Sequence, residues 1–193
     1  FDTWTFHFEG DFNLNNNGSY NRLTDAYVSR KLSEGATVKI GKQGAGFTLD
    51  GATSSKSLIT LQRNNLSNNL WFTAEYFTGI SVSGPTNDGY FYNVGFFSND
   101  PNGEFSHFDA SFFGLASFGK DFADQVGTDK AIVRLDLIHN DEDPKANTRN
   151  FGEVISIVTQ WEEGNWGLRT DLSYGNGYRS QSDLWGAVSM PFY

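Results

Sequence analysis

WTFHFEGDFNL, residues 4–14, decides the fold class. Trp4, Phe6, Phe8, Gly10, Phe12 and Leu14 share one face of an extended chain, and Thr5, His7, Glu9, Asp11 and Asn13 share the other. Eleven residues of unbroken alternation exceed the five or six usual for a strand in a soluble sheet. They match the roughly 9–11 residues that a tilted strand needs to cross a bilayer. One apolar face backed by charged and amide groups reads as a wall element with lipid on one side and water on the other.

The pattern recurs along the chain. Leu70, Phe72, Ala74, Tyr76, Thr78, Ile80 and Val82 make a second apolar face, and Tyr90, Tyr92, Val94 and Phe96 a third. Phe108, Ala110, Phe112, Gly114, Ala116 and Phe118 follow, then Ala131, Val133, Leu135 and Leu137. Ile155, Ile157, Thr159 and Trp161 precede Trp166, Leu168, Thr170, Leu172 and Tyr174. Leu184, Gly186, Val188, Met190 and Phe192 complete the series. With shorter segments at 22–32 and 36–43 the sequence predicts about ten strands. These apolar faces are expected to point mostly to lipid and the polar faces to a water-filled lumen.

Connections sort by parity. Residues 33–35, 83–89 and 162–165 are short links, with 120–130 the exception. The alternate links, 15–19, 44–69, 99–104, 140–150 and 175–183, are mostly longer and more polar. Short turns at one end and long loops at the other belong to an up-and-down membrane barrel. Trp4, Trp71, Trp161, Trp166, Tyr174, Phe192 and Tyr193 stand near strand ends, where interfacial aromatic girdles form.

Composition agrees. The chain is 16% aromatic with 21 glycines, yet its mean hydropathy is −0.46 and no apolar run nears the ~18 residues of a membrane helix. Absent cysteine removes disulfides, thiolate metal sites and cysteine nucleophiles. A net charge of −9 argues against a nucleic-acid partner. No secretory leader precedes the first alternating segment, as expected of a mature exported protein or an internal fragment.

RLTDAYVSRKLSEGATVKIGKQ at 22–43 runs into GAGFTLDGATSSKSLITLQRNNLSNNLWF at 44–72. With GISVSG at 79–84, FDASFFGLASFGKDF at 108–122, GLRTDLSYGNG at 167–177 and SDLWGAVSMPFY at 182–193, it resembles the phosphate-selective porin O and P family, particularly a divergent branch of it. The resemblance implies a bacterial outer-membrane barrel among lipid and lipopolysaccharide, commonly a homotrimer, passing small anionic solutes such as phosphate. It also implies about sixteen strands, so that residues 1–193 would be a single barrel region incomplete on its C-terminal side. A closed ten-stranded barrel is the alternative.

An anion-preferring pore needs fixed positive charge in its lumen. Strand parity offers Lys39, Arg134, Arg169 and Lys31, and the long 44–69 link offers Lys56 and Arg63 for a constriction. The same parity set holds Glu9, Asp11, Asp25, Glu75, Asp109, Asp136 and Asp171, so a general small-solute porin is the reading from residues alone. Arg134 with Asp136 and Arg169 with Asp171 suggest mixed-charge ladders that solvate a wet lumen. The acidic run 140–143 and Asn99, Asp100, Asn102 and Glu104 lack EF-hand spacing and read as solvated loops.

His7 with Glu9 and Asp11, and His107 with Asp109, are the candidate acid–base clusters, but one strand's polar face supplies neither an oriented partner nor a substrate-sized site. No nucleophile elbow, zinc-protease motif or phosphate loop occurs. The expectation is therefore no enzyme, no metal and no cofactor. The rival class is a plugged barrel or a soluble β-sandwich that binds glycans through exposed aromatics.

Overall fold

The computed structural model describes residues 4–13, 19–32, 35–70, 75–100 and 104–193. Its strands are β1 (Trp4–Asn13), β2 (Ser19–Lys31), β3 (Thr37–Gly44), β4 (Tyr76–Pro85), β5 (Tyr90–Ser98), β6 (Phe112–Asp121), β7 (Lys130–Asn140), β8 (Phe151–Glu163), β9 (Trp166–Gly177) and β10 (Leu184–Phe192). Each pairs antiparallel with its sequence neighbours in one open sheet ordered β1 to β10. Two short helices interrupt the series, α1 (Asn65–Leu70) and α2 (Ala123–Val126).

Register shows how alternation becomes a wall. One row of paired residues crosses the whole sheet: Trp4, Arg30, Val38, Val82, Val94, Ala116, Leu137, Ile155, Tyr174 and Trp185. This is the outward face, where Val94, Leu137, Ile155, Tyr174 and Trp185 are all exposed. Such continuous apolar exposure is far beyond what a water-soluble surface carries and suits lipid. The neighbouring inward row runs His7, Tyr27, Gly41, Gly79, Phe97, Phe113 and Asn140. Gly41, at φ 131°, permits this close fit, since a Cβ there would collide with Ala26 O.

Turns and loops separate as the link lengths predict. The long exception between β6 and β7 is explained by α2, which ends at Gly127 in the left-handed region with φ 72°. Loops at the other end interlock. Asn140 bonds to Asn99, Thr148 and the Phe151 carbonyl, and Asp143 accepts from Ser111 N at 2.9 Å.

Three expectations are corrected. Leu70 ends α1 instead of opening a strand, and β4 begins at Tyr76. Phe108 and Ala110 precede β6: Phe108 has φ 58°, and its N–H and that of His107 donate to Asp100. The face of β10 carrying Leu184, Gly186, Val188, Met190 and Phe192 points inward, because Trp185 pairs with outward Tyr174 and Ala187 with outward Leu172. Leu184 and Val188 there pack on the core, and α1 lies against Gly186 so closely that a Cβ would sit 2.6 Å from a Leu66 methyl. Apolar residues can face the lumen side when an inserted element covers them. The alternation call at Leu14 and those at 71–74 lie outside the described residues, as does Asn102.

Candidate functional site

Residues 45–70, after β3, fold back over the inward face. Their Ala45, Phe47, Leu66 and Leu70 are buried with Phe77, Phe97, Phe113, Leu115, Ile138, Phe151 and Val154 of the strands. A polar clasp fixes the bend of this loop. Asp136 accepts from Thr48 N at 3.1 Å and Asp171 from Leu49 N at 2.9 Å, so two strands hold two successive backbone N–H groups. Arg134 forks onto Asp136, with Nε 2.7 Å from Oδ1 and Nη2 2.8 Å from Oδ2, and Nη2 also donates to Thr48 O at 2.7 Å. Thr48, fully buried at φ 65°, is a β-branched residue in the left-handed region, a conformation that costs of order 1–3 kcal/mol. These bonds, with Thr48 Oγ1 2.7 Å from Ser67 Oγ, overdetermine it.

Beside the loop lies a hollow of about 340 Å³ lined by Glu9, Asp25, Ser54, Ser55, Lys56, Arg63, Glu75 and Tyr76. Lys56 and Arg63, both foreseen for a constriction, meet here, facing carboxylates of both walls. Arg63 Nε stands 3.0 Å from Glu75 Oε1, an ion pair without hydrogen-bond alignment. Lys56 makes no ion pair among the described residues. Lys39 faces inward on β3 with its ammonium 4.8 Å from the Tyr27 ring centroid.

The other foreseen cations are elsewhere. Arg134 belongs to the clasp. Arg169 is tied to Glu162 at 2.9 Å, donates to Ser57 O and covers the Phe192 ring at 5.3 Å. Lys31 ends β2 at the turn end, away from the loop, and is exposed. Sequence reasoning foresaw the Arg134–Asp136 pair as a solvating ladder and missed that Asp136 and Asp171 grip the loop. The available signal was two inward aspartates, on β7 and β9 either side of β8, together with one long link.

A long link seated on the inner wall of a staggered antiparallel sheet with an apolar outside is the architecture of a porin wall. The family model described as phosphate-selective porin O and P matches residues 1–189. The chain belongs to the phosphate-selective porin O and P family. No curated protein matches it. As a bacterial outer-membrane porin of this family, it presents its exposed aromatic and aliphatic rows to lipid. Trp166, its ring 4.7 Å from that of Tyr193 and tilted by 56°, with Trp4 and Trp161, marks the turn-end interface of this porin, and Tyr174 and Trp185 the loop-end one. Within the porin wall His7 contacts Glu9 at 3.5 Å while Asp11 pairs with Arg22 at 3.7 Å, so the foreseen three-residue cluster divides.

Proposed function

We infer that this porin passes small hydrophilic solutes by passive diffusion, past a constriction bounded by the 45–70 loop and the inward wall of β1–β4. The seating of that loop by Asp136 and Asp171 carries the reading, because an ordered long loop held on the inner wall narrows the opening at a fixed place. Rate and preference then follow from width and fixed charge, with no bond made or broken. Charge of both signs meets at the hollow: Glu9, Asp25 and Glu75 against Lys56 and Arg63. Glu75 offsets Arg63, and Asp136 and Glu162 offset Arg134 and Arg169. This balance supports weak selectivity, in which phosphate is one of several solutes and Lys56 with Lys39 supplies what anion preference there is.

The family resemblance adds a homotrimer and a barrel of about sixteen strands of which residues 1–193 are part, both testable by the mass of the detergent-solubilised full-length product. For selectivity, the reversal potential across a KCl gradient should move toward cations in the variant carrying Lys56→Glu and Arg63→Glu. An unmoved potential removes both residues from the constriction.

A further inference from the structure

Glu9 and Asp25 are direct cross-strand partners on the inward face of β1 and β2. Like charges directly opposite one another destabilise a sheet pair, so this register calls for a cation. The imidazole of His7, two residues before Glu9 and on the same face, completes a set whose ligand atoms all lie within 4.8 Å of one another. The Tyr27 ring stacks on that imidazole at 5.1 Å and 10°. One imidazole nitrogen and two carboxylates, with a side open to the hollow, is a donor set suited to zinc, with water at the open position. Ligand atoms around tetrahedral zinc stand about 3.3 Å apart. The 4.8 Å span closes to that by rotation of His7 and Glu9, both largely exposed.

We propose that His7, Glu9 and Asp25 bind a divalent transition-metal ion, zinc in the first instance, on the pore wall, and that the bound ion makes the constriction more anion-preferring. Glu9 and Asp25 line the same hollow as Lys56 and Arg63. Two added positive charges cancel the two carboxylates and, with Glu75 still offsetting Arg63, leave Lys56 and the nearby Lys39 to set the sign of the field. His139 and Glu153, 3.5 Å apart on the outward side, have no third ligand among the described residues and provide the internal control.

The binding claim stands apart from the pore reading, and only its effect on selectivity rests on it. Calorimetric titration of zinc chloride into full-length folded protein in detergent should show a site filled at one ion per chain. H7Q and D25N, each checked for heat-modifiable migration as a sign of folding, should weaken it at least about tenfold, and H139Q should leave it unchanged. Equal zinc affinity in wild type and H7Q overturns the site, as does no saturable binding by the wild type. In planar bilayers zinc should move the wild-type reversal potential toward chloride and leave H7Q unmoved; the same movement in both overturns the tuning. A folded protein that never conducts refutes the pore while the titration still decides the metal site.

Discussion

Asp136 is wholly buried, and its carboxylate is tolerable there because Arg134 forks onto it and Thr48 N–H completes its shell. Removing one member of a buried pair costs more than the pair contributes, since the other charge is left uncompensated. Asp136→Ala should therefore lower stability by about 3–5 kcal/mol in urea unfolding followed by tryptophan fluorescence. Replacing both Asp136 and Arg134 with leucine should lower it by clearly less, since no charge is stranded; an equal loss would place the cost in shape and not in charge. Both variants release Thr48 N–H, so both should enlarge single-channel conductance. At Phe47, fully buried under the loop, truncation to alanine should cost about 3–5 kcal/mol, and a smaller figure would mean that the loop is not packed in the membrane-embedded protein.

Strands and loops differ in how much of them the sequence discloses. β1 and β7 follow their alternation, so Phe8 and Leu135 face outward as predicted. Arginine at either should cost about 2–4 kcal/mol near the bilayer midplane, and wild-type stability of both in lipid would contradict the assigned faces. β10 was misread because alternation gives the period but not which face meets lipid. Its even residues are as apolar as its odd ones, and the inserted α1 makes an apolar inner face favourable. Ala187→Arg tests the corrected register with the same expected penalty.

Loop-end contacts add a pH signature. Backbone N–H groups of Lys145 and Ser111 hold Asp143 below the usual carboxylate range, and Gly177 N–H with the Tyr174 hydroxyl does so for Asp183. With folded values depressed, their stabilisation is present above the ordinary value of 3.8 and is lost as pH falls below it. Amide exchange at 141–145 and 177–183, taken relative to the rate of unstructured peptide at the same pH, should stay constant from neutral pH to about 4 and then rise. A rise beginning at pH 6 would assign the loops to other groups.

At the scale of the whole molecule, strand count, antiparallel order and the separation of turns from loops were legible because period and punctuation are local properties. The inserted loop was not, because its place depends on carboxylates about 88 and 122 residues away meeting two N–H groups. Lys56 and Arg63, expected from loop length, both line the hollow, whereas Arg134 and Arg169 are held in ion pairs with Asp136 and Glu162. The charge ledger of the hollow is nearly even. That balance is what favours the proposed weakly selective pore over a dedicated anion filter.

The most direct test is single-channel conductance of the full-length product in a planar bilayer under a KCl gradient. The proposed diffusion pore calls for a stable open level with a reversal potential near zero or modestly toward chloride. Absence of conductance from protein that still shifts on boiling would contradict a diffusion pore and assign the seated loop to a plug.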